Sequence, residues 1–346
     1  MKSLNWFGWA NPNSGYGIVN LEYATALNKL VDVSIGWERE ENILKDNFKY
    51  FTEEQKDVWR KPFKREKVGI IKTIPQMFKM NTSEFRIGYT MVENTKIGKG
   101  WVELCNQMDA IFVPSPFLVD VFKDCGVTVP IKSVKQGVNT DRYKYIERPE
   151  KNKYIFGTIG HMDDRKNWED LVVAFCSEFD EDEPVELWIK NANPYFAHQG
   201  FKDKRIRVIN TFYSFDEIVT LYSLFDCFVF PSHAEGSGLP PREAMATGLP
   251  VILTNWSGLK EICNSDYNYP LTPISIDYPD IRGEEQPGFM ARIDVAELMY
   301  NMRDCYENKQ KARDKGKRAS EYIRKEWNWD VCAENLLEKV NEVYHE

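Results

Sequence analysis

The segment HAEGSGLPPREAMATGLPVI, residues 233–252, predicts a glycine-rich turn, a short helix and a buried strand in succession. Two successive prolines fit the first turn of a helix, where a missing N–H costs little, and Gly248 is typical of the residue that ends a helix. The free backbone N–H groups at the start of such a helix suit an anion. Glu235 and Glu243 flank this turn, although carboxylates repel an anion. A ligand that carries both phosphates and hydroxyl groups would satisfy both features.

Short apolar runs alternate with amphipathic helical stretches on both sides of this segment, the pattern of βαβ units with a parallel sheet. A polar stretch, residues 145–153, interrupts the alternation once. We therefore predict an α/β protein with two Rossmann-like domains facing each other across a cleft. The first domain would comprise residues 1–149 and the second residues 150–327. A final helix, residues 328–346, would pack back on the first domain.

Composition narrows the possible partners. The chain has 346 residues and a net charge of −8, which disfavours a surface broadly positive for nucleic acid. No apolar run is long enough for a transmembrane helix, and the N-terminus lacks the features of a signal peptide, so a cytoplasmic protein is expected. The seven cysteines and four histidines are scattered, which argues against a disulfide framework or a metal site.

Loops that follow successive strands of the second array predict a ligand site, because ligands of open α/β sheets bind at the carboxyl ends of the strands. Arg165 and Lys166, with the amides of Gly238 and Leu239, would form a cradle for a diphosphate. Glu243, expected in the first turn of its helix, would bind a ribose diol. Glu235 in the turn would face a second polyol. A nucleotide sugar has this set of groups.

The segment EGSGLPPREAMATGLPVI also resembles the signature of the retaining GT-B glycosyltransferases of family four, the glycosyl transferases group 1. In that signature two glutamates with seven residues between them bracket a G-x-G-L-P turn. The segments IGHMDDRKNWEDLVVAF, SFDEIVTLYSLFDCFVFPS and NSGYGIVNLEYATAL are similar to the family's phosphate loop, the elements before the signature, and the first glycine loop. The resemblance covers nearly the whole chain, and the family includes viral and phage-type members.

The resemblance implies that the second domain binds a nucleotide-sugar donor and the first domain the acceptor. Lys166, with Arg165 beside it, would bind the donor diphosphate, Glu243 the ribose and Glu235 the transferred sugar. The other donor-side positions implied are Gly160, His161, Ser237, Gly238 and Leu239. On the acceptor side, the glycine loop would approach the phosphates or the acceptor through Ser14, Gly15, Tyr16 and Gly17.

Two positions depart from the family pattern. Many members have an arginine soon after the glycine that corresponds to Gly160, where this chain has His161, so Arg165 is expected to supply that charge. Many members also have a reaction-centre histidine in the first domain, and no histidine precedes His161 here. Glu93, in the corresponding region, is our candidate for contacting the acceptor hydroxyl. The residues expected at the reaction centre are Glu235, Lys166, Arg165 and Glu93.

The function implied is transfer of a hexose or pentose (EC 2.4 class) from a UDP- or GDP-linked donor, with retention and without a metal or other cofactor. A cell-surface or storage glycan is the first acceptor to consider. The alternative is a hydroxymethylated pyrimidine in DNA, in the host cytoplasm for a viral protein, which the basic run from Arg60 to Lys67 favours and the acidic net charge disfavours. A nucleotide-sugar-binding regulator and an epimerase of the same architecture stay open. The sequence does not indicate an oligomeric state.

Overall fold

The computed structural model describes residues 1–11, 14–36, 48, 50–192, 200–279 and 288–345. The described chain divides into two compact units. The first unit contains residues 1–137 and the C-terminal residues from 326, and the second contains residues 138–279 and 288–325. Each unit is built on a parallel sheet of six strands. The predicted α/β class with two Rossmann-like folds is confirmed.

The first unit has the strand order β2-β1-β3-β4-β5-β6. Its strands are β1 (Ser3–Phe7), β2 (Asp32–Ile35), β3 (Val68–Lys72), β4 (Phe85–Tyr89), β5 (Ala110–Val113) and β6 (Ile131–Ser133). Its helices up to this point of the chain are α1 (Gly15–Asn28), α2 (Glu53–Arg60), α3 (Trp101–Cys105) and α4 (Pro116–Asp124). The central strands are buried on both faces, as in a parallel sheet covered by helices.

The glycine loop of the first unit is fixed where α1 begins. The Ser14 hydroxyl accepts a hydrogen bond from the amide of Gly17 at 3.1 Å, which caps the helix. A Cβ atom on Gly17 would lie 2.1 Å from the carbonyl oxygen of Asn11, so only glycine fits there. A Cβ on Gly15 would meet nothing within 4 Å among the described residues.

The second unit has the strand order β12-β11-β10-β7-β8-β9 and a separate antiparallel pair, β13 and β14. Its strands are β7 (Tyr154–Gly160), β8 (Val185–Asn191), β9 (Ile206–Ile209), β10 (Cys227–Phe230), β11 (Val251–Thr254), β12 (Tyr269–Leu271), β13 (Pro273–Pro279) and β14 (Phe289–Ile293). Its helices are α5 (Trp168–Glu178), α6 (Phe215–Leu224), α7 (Leu239–Ala246), α8 (Val295–Glu307) and α9 (Lys309–Glu326).

Helix α7 begins one residue earlier than the two prolines suggest. Gly238 takes a left-handed φ of 81°, which lets the helix start at Leu239. Glu243 is therefore the fifth helical residue, and the prediction that it lies in the first turn was wrong. The predicted end of the helix is confirmed, because Gly248 follows it with a φ of 82°.

The C-terminal helices break where the sequence predicts. Helix α9 ends at Glu326, and α10 (Trp329–Val343) begins after Asn328, whose side chain accepts from the amide of Val331 at 3.0 Å. Helix α10 packs on α1 of the first unit, with the Tyr23 and Trp329 ring centroids 4.9 Å apart. None of the described helices combines the length and the apolar character required to span a bilayer.

Candidate functional site

Glu235 is the centre of a buried polar cluster in the turn after β10. Its Oε1 accepts hydrogen bonds from Arg165 Nη1 at 2.7 Å, from Lys166 Nζ at 2.5 Å and from Ser232 Oγ at 2.8 Å. Both cations come from the loop after β7, and the Lys166 ammonium also lies 4.7 Å from the Phe230 ring centroid. Among the described residues these three hydrogen bonds all use Oε1.

The charges of the cluster keep Glu235 ionised. Burial opposes ionisation, but the charges of Arg165 and Lys166 outweigh it and lower the pKa of Glu235 to about 2. The pKa of Lys166 is lowered as well, first by burial and then by the charge of Arg165, against the attraction of Glu235. The two cations lower the pKa of Glu235, whereas burial is the largest cause of the shift of Lys166. The carboxylate of Asp163 also attracts Lys166, so the two cations of this loop face two carboxylates.

The glycine turn is held against a third loop, the one after β11. The amide of Glu235 donates to Ser257 Oγ at 2.9 Å, and the amide of Gly258 donates to the carbonyl oxygen of Glu235 at 2.9 Å. Ser257 takes a positive φ of 52°, a conformation that is costly for a residue with a side chain. A Cβ on Gly258 would lie 2.3 Å from the carbonyl oxygen of Gly236, so the two loops pack backbone against backbone.

Arg242, a residue that the sequence analysis missed, holds the glycine turn in place. Its side chain is fully buried, and Nη1 donates to the carbonyl oxygens of Ser237 and Gly238 at 2.6 and 2.9 Å. The same nitrogen donates to Ser237 Oγ at 2.9 Å. Arg242 therefore holds Ser237 and Gly238, two of the residues whose amides are predicted to contact the donor. An arginine in a helix start that is otherwise apolar was the signal available in the sequence.

Glu243 lies on α7 with its carboxylate against α6. The Tyr222 hydroxyl donates to Glu243 Oε2 at 2.9 Å and lies 3.1 Å from the carbonyl oxygen of Pro240. Burial first, and then the charge of Glu243, raises the pKa of Tyr222 well above its usual value, so the hydroxyl stays protonated as a donor. Tyr222 was also missed, because the helical periodicity of α6 gives no reason to distinguish it from a core residue.

Gly160 and His161 lie at the carboxyl end of β7 and line a narrow cavity together with Lys166 and Phe230. A larger cavity of about 240 Å³ includes Asp164, His233 and Tyr278 in its lining, and none of the residues predicted to bind the donor lines it. The predicted donor residues lie instead at the end of β7, in the loops after β7 and β10, and on α7.

The acceptor-side candidates lie together in the first unit. Tyr16, in the first turn of α1, is buried at its hydroxyl, and its pKa is raised first by burial and then by the charge of Glu93. The Thr90 side chain and the Met91 backbone also interact with that hydroxyl. The charge of Glu93, from the loop after β4, therefore acts on Tyr16 of the glycine loop. Their predicted role toward an acceptor stays a prediction.

Comparisons with known proteins agree with this geometry. Residues 153–277 match the family model described as Glycosyl transferases group 1. The chain is 26% identical over 219 residues to the uncharacterized protein 356 of Sulfolobus islandicus rod-shaped virus 1, covering 55% of this chain and 60% of that one. It is 32% identical over 114 residues to the serotype-specific mannosyltransferase WbdA of Escherichia coli, covering 30% of this chain and 14% of that protein.

Solved structures show the same architecture over the full chain. Anabaena Alr3699/HepE, determined in complex with UDP and glucose, superposes with a TM-score of 0.69 and 13% identity, covering 99% of this chain and 100% of that one. The fold is therefore GT-B. Residues 153–277, which match the Glycosyl transferases group 1 model, all lie in the second unit and include the segment that carries the resemblance. The chain spans 60% and 14% of the lengths of the two curated relatives.

Proposed function

We propose that this protein is a retaining glycosyltransferase that moves a sugar from a UDP- or GDP-linked donor to a hydroxyl acceptor without a metal or other cofactor. The observation that carries the proposal is the Glu235 cluster. One carboxylate oxygen accepts from two cations, Arg165 and Lys166. Glu243 is held separately by Tyr222 on the preceding helix, α6. The hydroxyl groups and the phosphates of the donor would thus bind to different side chains at the same edge of the sheet.

Each donor group has a matching protein group. The Lys166 ammonium and the amides of Gly238 and Leu239 would bind the diphosphate. The two residues that follow are prolines, which have no N–H, so the amides of Gly238 and Leu239 are the donors before them at the helix start. Glu243 would accept the two ribose hydroxyl protons. Oε2 of Glu235 would accept a hydroxyl of the transferred sugar. Arg165 then positions Glu235 rather than binding phosphate directly.

The chemical step needs charge stabilisation more than proton transfer by the protein. The bond between the anomeric carbon and the donor phosphate breaks, and its electron pair stays on the departing diphosphate. Lys166 and the helix-terminal amides stabilise that negative charge. The acceptor oxygen bonds to the same face of the anomeric carbon, and its proton goes to the departing phosphate. Glu235, with a pKa of about 2, serves as a fixed hydrogen-bond acceptor throughout.

We favour a glycan over DNA as the acceptor. The WbdA match carries the name mannosyltransferase, and a glycan acceptor would suit such a relative. The basic run from Arg60 to Lys67 is partly neutralised, since Asp32 lies 2.6 Å from Lys61 and 3.9 Å from Lys64. A DNA-binding surface requires such charges to face phosphates. Hydroxymethylated DNA is therefore the second candidate acceptor.

The test is donor hydrolysis and transfer by the purified full chain. We would incubate the protein with UDP- and GDP-linked sugars, measure release of nucleoside diphosphate, and then add glycan or hydroxymethylated-DNA acceptors. Lys166→Ala and Glu243→Ala should abolish turnover while the proteins remain folded by circular dichroism. Glu307→Gln, an exposed carboxylate on α8, is the matched control and should turn over like the wild type.

The stereochemistry of the product tests retention. A product with the donor's anomeric configuration, seen by NMR before mutarotation, supports the proposal, and an inverted product contradicts it. Full activity in EDTA supports metal independence. Wild-type turnover by the Lys166→Ala or Glu243→Ala protein would show that the donor site is elsewhere.

A further inference from the structure

Lys72 is a buried lysine at the end of β3 in the first unit, and no carboxylate of the described residues pairs with it. Only 1% of the residue is exposed, and its ammonium lies 4.2 Å from the ring centroid of Tyr16 and 4.9 Å from that of Tyr89. Within the described residues Nζ has no hydrogen-bond acceptor. Burial by itself lowers the pKa of Lys72 to about 7, and no carboxylate raises it again. A fold does not gain stability from such a group, so a ligand is the better explanation.

Two further buried donors lie at the same edge of the sheet. Ser115 follows β5 and Gln136 follows β6, and both side chains are almost fully buried. Ser115 Oγ and Gln136 Nε2 have no hydrogen-bond partner in the part of the chain that the structure describes. Ser115 is the N-cap residue of α4 but makes no side-chain cap bond, although serine is preferred there for that bond. Its hydroxyl is therefore a buried donor whose hydrogen bond is unused among the described residues.

The sheet places these groups near one another. Strands β3, β4, β5 and β6 are consecutive and parallel, so the residues that follow them share one edge. Neighbouring strands lie about 5 Å apart. Tyr89 connects the two ends of the row, because its ring lies beside the Lys72 ammonium and its hydroxyl donates to the carbonyl oxygen of Val134 at 2.7 Å.

The side chains of Lys72, Ser115 and Gln136 indicate which charge a ligand at this sheet edge would carry. An ammonium, a hydroxyl and an amide NH₂ can all donate hydrogen bonds, and only an anion accepts from several donors while balancing a buried cation. We infer that Lys72, Ser115 and Gln136 form a subsite for a phosphate or carboxylate group of the acceptor. This inference rests on the proposed function. The donor diphosphate would have its own cation, Lys166, in the second unit, so we assign the anion at Lys72 to the acceptor.

The test is calorimetric titration of the full chain with inorganic phosphate and with glycerol 1-phosphate, with and without saturating UDP. We expect both anions to bind the UDP-saturated protein, with glycerol showing no binding. Lys72→Met should weaken anion binding about ten- to a hundredfold, the loss of a charged hydrogen-bond partner, without changing UDP affinity. Ser115→Ala should weaken it severalfold. Lys132→Met, a partly exposed lysine of β6 paired with Glu342, is the control and should bind like the wild type.

Three outcomes would overturn the inference: no anion binding to the UDP-saturated protein, competition between phosphate and UDP, or unchanged binding in folded Lys72→Met and Ser115→Ala proteins. Competition would assign the anion to the donor. The proposed function fails separately. If phosphate binding depends on Lys72 but no nucleotide binds and no nucleotide sugar is hydrolysed, the subsite stands and the transferase does not.

Discussion

Arg165 and Glu235 form a buried ion pair, with Arg165 Nη1 2.7 Å from Glu235 Oε1. The same guanidinium nitrogen donates to the carbonyl oxygen of Ala234 at 2.8 Å, and the carbonyl oxygen of Arg165 accepts from the amide of His233 at 2.8 Å. The loop after β7 is thus joined to the glycine turn by both backbone and side chain. Arg165 consequently sets the orientation of Glu235.

We predict that Arg165→Met lowers both stability and turnover. Removing one partner of a buried pair leaves the other charge without its partner, which typically costs about 3–5 kcal/mol, and Lys166 should reduce this loss to about 2–3 kcal/mol. Urea unfolding would measure the loss of stability. Steady-state kinetics with a nucleotide sugar that the wild type hydrolyses would measure the loss of turnover. Arg207→Met, on an exposed arginine of β9, is the control and should change neither. A fully active Arg165→Met protein would contradict a positioning role.

Glu235 should make the free energy of unfolding depend on pH in the acid range. Its pKa is about 2 in the folded protein against an ordinary value of 4.5, so the unfolded chain takes up a proton first as pH falls. The stabilisation is therefore complete above pH 4.5 and is lost between pH 4.5 and 2, about 3 kcal/mol in total. Urea unfolding at several pH values should show this extra loss in the wild type and not in Glu235→Gln. Parallel curves for the two proteins would argue against the ion-pair cluster.

Tyr222→Phe should affect donor binding rather than the chemical step. The hydroxyl orients Glu243 through one hydrogen bond to a charged group, worth about 1.5–3 kcal/mol, part of which water replaces when the bond is lost. We expect KM for the nucleotide sugar to rise about three- to tenfold with kcat nearly unchanged. Tyr300→Phe, an exposed tyrosine of α8, provides the control. A fall in kcat at constant KM would place Glu243 in the reaction itself.

Gly238→Ala should lower the stability of the protein, whereas Gly15→Ala should not. Gly238 has a φ of 81°, and a Cβ there would lie 2.5 Å from Leu259 Cδ2, so alanine should destabilise the second unit by about 1–3 kcal/mol. Gly15 has no such constraint, and alanine at the start of α1 should leave stability unchanged or raise it by up to about 1 kcal/mol. Thermal unfolding measures both. Equal melting temperatures for the two variants would refute the turn geometry.

Lys72→Met should stabilise the protein at neutral pH. The folded pKa of Lys72 is about 7 against an ordinary 10.5, so the unfolded chain holds the proton more tightly and the wild type gains stability as pH rises from 7 to 10.5. The total is about 5 kcal/mol, and the penalty is fully present below pH 7. The variant should be more stable at pH 7 and lack this dependence. A less stable Lys72→Met protein would indicate a structural lysine.

The sequence determined the architecture and the donor-side motif. Hydrophobic periodicity indicated two parallel α/β arrays, and the glycines and prolines between Glu235 and Gly248 predicted a turn and a short helix, because those residues restrict the backbone locally. The spacing of Glu235 and Glu243 also led to the prediction that two carboxylates serve different parts of a ligand. Such features depend on neighbouring residues, so the order of residues is enough to predict them.

Only the tertiary structure decided which charges meet. Arg165 lies seventy positions before Glu235, and Tyr222 lies twenty-one before Glu243. Their pairing depends on which strands are neighbours in the sheet. The same holds for Lys72, Ser115 and Gln136, whose shared edge follows from the strand order β3-β4-β5-β6. Burial then decides how strongly each charge requires a partner, and burial is a property of the packed fold that local sequence does not encode.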